Sequence, residues 1–189
     1  MSTLHLVRHL PAAGAEGRAV GRTDLELADP GAARRWADAW SLEPPAHVVA
    51  SPLARAQQTA AALADRWGLG VEGEPRLAEL DFGRWDGRTW AEIERDDGDA
   101  LGAWMADWTA TAAPGGESFA DVQVRVRDWL DDVNGDAVVV AHAGSIRAVL
   151  VEVLGLDPAH AFRLAVAHGA LTTVRLDPPE LVVLNRPVP

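Results

Sequence analysis

The 189-residue chain contains no cysteine, which removes disulfides, thiolate nucleophiles and cysteine-ligated zinc from consideration. It contains no lysine either. Arginine supplies all 17 basic residues against 28 acidic ones, for a formal net charge of −11. Such an acidic chain argues against a general nucleic-acid binder and against a binder of anionic membranes, since both rely on a basic surface. Long apolar runs are missing: the longest, AVVVA at 137–141, is far too short to cross a bilayer. The first residues lack the basic, apolar and small-residue regions of a secretory leader, so a cytoplasmic location is expected. No His-Glu-x-x-His or comparable spacing occurs, so no metal and no cofactor is expected.

What is there reads as one domain over 1–189, in which short β-like runs alternate with amphipathic helical stretches. LHLVR is a first strand. Asp29 caps a helix with Pro30 at its first position. HVVAS is a second strand, after which Ser51-Pro52 caps a helix that stops at Gly68. GVEG is a weak third strand, and DAVVVAH, apolar without alternation, is a central strand buried on both faces. Phe119, Val122, Val126, Trp129, Leu130 and Val133 recur at steps of three and four, which predicts a one-sided helix over 118–133. SIRAVLVEVLG is a further helix, and LTTVRL and ELVVLN form a terminal hairpin or edge. The pattern predicts a three-layer α/β/α fold around a mostly parallel sheet. It breaks over about 84–117, a Trp-rich, acidic insertion that reads as a small helical lid. Thr89 and Glu92 start one helix there as a capping box, and a second helix is expected around Ala100 to Trp108.

Ligands of open α/β sheets bind outside the carboxyl ends of the strands. At those ends stand Arg8-His9, Ser51 with Arg55 a turn later, Glu79 with Asp81, and His142. With no cysteine and no serine nucleophile elbow, His9 is the best nucleophile available. Two guanidiniums suit a tetrahedral dianion, because each can make paired hydrogen bonds to its oxygens. Taken singly, every one of these residues has an ordinary structural reading; together they suggest phosphoryl transfer through a phosphohistidine.

These segments resemble the histidine phosphatase superfamily, in its phosphoglycerate-mutase-like branch. LVRHLP resembles the Arg-His-Gly signature, SPLARAQQTA the Ser-x-x-x-Arg-Ala-x-x-Thr-Ala segment, ELDFGRWDG the acid-bearing loop and VVVAHAGSIRAV the second-histidine turn. GRTDLELA and PGGES match two further stretches, and the whole arrangement is most similar to α-ribazole phosphatases. The resemblance implies that His9 attacks phosphorus, that Arg8, Arg55 and His142 hold the equatorial oxygens, and that Glu79 protonates the leaving oxygen and then activates water. It also implies a phosphorylated small metabolite as substrate, with α-ribazole-5′-phosphate of cobalamin biosynthesis as the favoured one. A phosphoglycerate mutase, a broad sugar or nucleotide phosphatase, and a phospho-ligand binder without turnover are the alternatives. Thr23 is a secondary phosphate contact. Glu117 and Ser118 are secondary substrate contacts, Ser118 being equally a helix N-cap. His168 is open between the site and a structural role, and His5, His47 and His160 read as structural or exposed. Monomer and homodimer are both compatible with the sequence. One departure stands out: Leu10 occupies the position where the family usually has Gly, a change read as subgroup variation because all the reacting groups remain.

Overall fold

The computed structural model describes residues 2–188. Six strands, β1 (Thr3–Arg8), β2 (His47–Ala50), β3 (Val71–Gly73), β4 (Ala137–Ala141), β5 (Leu171–Leu176) and β6 (Pro179–Arg186), form one sheet in the order β3-β2-β4-β1-β5-β6. The four from β3 to β1 are mutually parallel; β5 and β6 add an antiparallel hairpin on the β1 side. Arg8 pairs with Ala141 and Ala50 with Val140, so the carboxyl ends of the three central strands share one rim.

The apolar alternation along the central strands builds two cores. Leu4, Leu6, Val139 and Ala141 face one side, where they meet α4 (Phe119–Asp132) and α5 (Ala143–Leu154). Val7, Val48, Val138 and Val140 face the other, against α1 (Pro30–Asp38) and α2 (Ala54–Trp67). β4 is buried at every residue, as its unbroken apolar run requires. The three-layer α/β/α expectation therefore stands, with a sheet parallel at four strands of six.

One local reading is corrected. Ser51 does not cap α2: the helix starts at Ala54 with Leu53 at the N-cap position and no side-chain cap bond. The two helices expected within 84–117 are present as the two segments of α3 (Trp90–Ala106), which meet at a kink where Asp97 leaves the helical conformation (φ −133°). The bend has a cause, since the Asp97 carboxylate accepts from Trp85 Nε1 and Arg88 Nη1, both at 3.1 Å, which draws it off the helical path. The capping box at Thr89–Glu92 forms as expected. This region has its own small core of Ala19, Trp85, Ile93, Leu101 and Ala113, separate from the two beside the sheet. No helix among the described residues is long and apolar enough to cross a membrane.

Candidate active site

β1 delivers Arg8 and His9 to the rim, where the His9 N–H donates to the carbonyl of Ala141 at the end of β4 (3.0 Å). His9 Nδ1 lies 2.6 Å from the Leu10 carbonyl. A carbonyl only accepts, so Nδ1 carries the proton and Nε2 keeps its lone pair. The Arg55 Nε–H points at that lone pair from 3.3 Å, consistent with the same tautomer. Burial above all holds the His9 pKa well below the ordinary histidine value; the Leu10 carbonyl is the next largest influence and works the other way, while Arg55, His168 and Arg8 add to the lowering. His9 is thus a neutral, oriented imidazole at physiological pH.

Arg55 is almost fully buried, and its guanidinium is held by two loop carbonyls: Nη1 donates to Thr23 (2.8 Å) and Nη2 to Gly21 (2.7 Å). The loop is held in turn by Asp86, whose carboxylate accepts from the N–H groups of Gly21, Arg22 and Thr23 and from the Thr23 hydroxyl. Gly21 is required by close approach, because a Cβ there would lie 2.1 Å from the Leu80 carbonyl oxygen. Each terminal nitrogen of Arg55 makes no second hydrogen bond among the described residues. Arg8 spends Nη1 on the Val166 carbonyl (2.9 Å), while its buried Nε has no partner among the described residues.

His142 ends β4 directly before α5 and is wholly buried. Its Nε2 bonds Ser51 Oγ at 2.7 Å, and its Nδ1 has no partner among the described residues. The rings of His9 and His142 lie 5.0 Å apart. Burial first, then His9, Arg55 and Arg8, pulls the His142 pKa well down as well. Two buried, unpartnered polar atoms, Arg8 Nε and His142 Nδ1, beside one nucleophilic nitrogen are what a phosphoryl group would satisfy.

Glu79 sits across the site with its carboxylate against the start of α5. Oε1 accepts from the N–H of Leu80 (2.9 Å) and of Gly144 (3.0 Å), and Oε2 also approaches Gly144 (3.3 Å). Gly144 makes this possible: a Cβ there would come within 2.2 Å of Oε1. The five residues expected to converge on one rim therefore do so.

The secondary contacts do not. The Thr23 hydroxyl is taken by Asp86, so Thr23 contributes its carbonyl to Arg55 and offers no donor to phosphate. Glu117 is occupied by Arg125 and Arg22 and by the Asp81 N–H. Ser118 is the N-cap of α4, in a reciprocal capping box with Asp121. None of the three lines the cavity above His9.

That cavity has a volume of about 480 Å³. Arg8, His9, Arg55 and Glu79 form its floor, Pro11, Ala12, Ala15, Glu16, Arg18 and Val20 one wall, and Phe82 and Trp90 the other. The walls are tied together, since Ala19 N–H donates to Arg88 O, Gly87 N–H to Ala19 O and Trp90 N–H to Gly17 O. His168, left open by the sequence, also lines the cavity.

Leu10 is accommodated without strain. Among the described residues Asn185 is the sole non-glycine with positive φ, so the chain after the nucleophile does not enter the region that demands glycine. The Leu10 side chain is buried under the floor with Trp36, and Gly169, at φ +68°, leaves the room it needs.

Comparisons with known proteins agree with this geometry. The chain is 38% identical over 159 residues to a glucosyl-3-phosphoglycerate phosphatase of Mycobacterium tuberculosis, covering 76% of this chain and 70% of that protein. A solved structure of mycobacterial glucosyl-3-phosphoglycerate phosphatase superposes with a TM-score of 0.86 at 29% identity, covering 97% and 98% of the two chains. An α-ribazole phosphatase from Shigella flexneri shares the fold, with a TM-score of 0.88 at 23% identity over 97% and 96% of the chains. The profile of the histidine phosphatase superfamily, branch 1, matches residues 4–186, and the chain belongs to that family.

Proposed function

We propose that the protein hydrolyses phosphomonoesters of small metabolites through a phosphohistidine on His9 Nε2. The observation that carries this reading is the locked tautomer: Nδ1–H is spent on Leu10, which leaves the lone pair on Nε2, met only by the long 3.3 Å approach of the Arg55 Nε–H, and His9 lines a cavity with Arg8 and Arg55 beside it. Nε2 attacks phosphorus as the ester P–O bond breaks. Glu79 gives a proton to the departing oxygen, and the alcohol leaves. The carboxylate then takes a proton from a water that attacks the phosphohistidine, releasing phosphate and restoring His9. Arg8, Arg55 and His142 hold the three equatorial oxygens throughout, so most of the catalysis is positioning and charge stabilisation. The segment 84–117 acts as the lid over this chemistry.

The relatives named for glucosyl-3-phosphoglycerate and α-ribazole phosphate favour a monoester with a sugar in its leaving group, and α-ribazole-5′-phosphate remains the favoured substrate. A phosphate-release panel with α-ribazole-5′-phosphate, 3-phosphoglycerate and sugar phosphates tests the proposal. Wild type is expected to release phosphate from at least one, with an acid-labile phosphoenzyme trapped during turnover. His9→Ala is expected to lose both, by about 10⁴-fold or more in rate. Equal rates from wild type and variant on every substrate would end this reading.

A further inference from the structure

Resting on the phosphatase reading above, we propose that His168 recognises the leaving group: its Nε2 accepts a hydrogen bond from a hydroxyl of the substrate, which makes polyol and sugar phosphates better substrates than plain alkyl phosphates.

His168 lies on the loop before β5 and forms a parallel bridge with Arg8. Its Nδ1 lies 2.8 Å from the His9 carbonyl, an oxygen that only accepts, so the ring proton is on Nδ1. Nε2, across the ring from that bond, has no hydrogen-bond partner among the described residues, and the ring lines the cavity. The His168 and His9 rings stand edge to face with centroids 5.0 Å apart, so an exposed, cavity-lining imidazole borders His9 and turns its free nitrogen away from the His9 backbone.

The ring is neutral near pH 7. Desolvation first, then the charge of Arg8, holds its pKa below the ordinary value; the His9 carbonyl pulls the other way, and Arg55 adds to the lowering. A neutral Nε2 is an acceptor with nothing to offer a phosphate dianion. Glu16, also in the cavity lining, is an acceptor too, Arg18 spends Nη1 on the Gly87 carbonyl, and Glu79 accepts from the Gly144 N–H. An acceptor lining a cavity whose floor is already matched to phosphate needs a donor, and a hydroxyl next to the ester oxygen supplies one. Leaving such a group unpaired in the complex carries a desolvation cost, so an analogue lacking the hydroxyl should be disfavoured.

The test is a matched pair of esters, glycerol 3-phosphate and n-propyl phosphate, with two variants that divide the imidazole between them. His168→Asn retains a donor for the His9 carbonyl and loses the reach into the cavity. His168→Gln retains the reach. Wild type is expected to favour glycerol 3-phosphate by on the order of 10-fold in kcat/KM. His168→Asn should bring that ratio close to one, mainly through KM for glycerol 3-phosphate, while His168→Gln should keep most of it. A wild type without preference overturns the proposal. So does a ratio that survives in His168→Asn, or one that both variants leave intact while lowering the two rates together, since the ring would then only brace His9. Absence of phosphate release from either ester by wild type would instead count against the phosphatase reading, and the proposal would fall with it.

Discussion

The floor of the cavity and its mouth are built on opposite principles. His9 and Arg55 on the floor and His142 behind them are 6%, 1% and 0% exposed, and most of their polar atoms are committed to fixed partners. At the mouth, Trp90 is 36% exposed, stacked on Trp104 and edge-on to Phe82, while Glu16 and Arg18 are open to solvent. The floor is also anchored from afar: Ser51 reaches His142 across 91 positions, and Asp86 holds Arg55 through a loop 63 to 65 positions away. The mouth is held mostly by backbone bonds between 17–19 and 87–90. A rigid floor suits a reaction whose catalysis is positioning, and a looser mouth suits a variable leaving group. Small changes at the floor should therefore cost rate, and large changes at the mouth should cost affinity.

The sharpest probe of the floor is one methyl group. In Gly144→Ala the added Cβ would stand 2.2 Å from Glu79 Oε1, so the carboxylate must leave the start of α5. With Glu79 as general acid, kcat for an alkyl phosphate is expected to fall on the order of 10²-fold or more. An aryl ester whose leaving group needs no proton should lose much less. Equal losses on both esters would mean that Gly144 serves the fold rather than Glu79.

Beneath the floor the packing should be felt as stability. Leu10→Ala is expected to destabilise by about 2–5 kcal/mol, because a buried side chain against Trp36 is removed. In Gly169→Ala the new Cβ would meet Leu10 Cδ2 at 2.8 Å and Trp36 Nε1 at 3.0 Å, in addition to the strain of φ +68°. Part of that conflict disappears when Leu10 is shortened, so denaturant melts of the double variant should show less than the sum of the single effects. Strict additivity would refute the idea that Leu10 and Gly169 are matched.

Most of the floor was legible in the sequence because strand ends announce themselves. An apolar run that stops on Arg8-His9 or on His142 places those residues at the rim of a parallel sheet whatever the loops do. The partners of those residues were not legible. Ser51 stands where a helix N-cap would, and nothing local distinguishes a cap from a bond to a histidine 91 residues away. Thr23 looked available because Asp86, which takes its hydroxyl, is remote in sequence. The kink in α3 depends on Asp97 being claimed by Trp85 and Arg88, and His168 reaches the site through a loop with no periodicity to read. Local pattern yields the elements, whereas long-range polar bonds decide what each side chain is free to do.

Acid tests the same floor through protonation. His9 and His142 have pKa values held well below the unfolded value of about 6.5, so the unfolded chain binds more protons than the folded one in that range. Their contribution to stability is complete above about pH 6.5 and is lost as the pH falls below it. Melting temperatures recorded from pH 7.5 to 5 should decline, and the decline should be shallower in His142→Asn. An unchanged slope would mean that His142 folds already charged.

The smallest effect is expected at the mouth. Trp90→Ala removes a large aromatic surface, yet this side chain touches none of the reacting groups and its loss leaves the Phe82–Trp104 and Trp85–Trp104 contacts in place. KM should rise by about 3- to 10-fold with kcat within about 2-fold, the pattern of binding that is uniform between ground and transition states. Steady-state kinetics on the best substrate of the release panel decide it. If kcat falls as far as KM rises, Trp90 orders the chemistry as well as the leaving group, and the division between rigid floor and permissive mouth has to be redrawn to include α3.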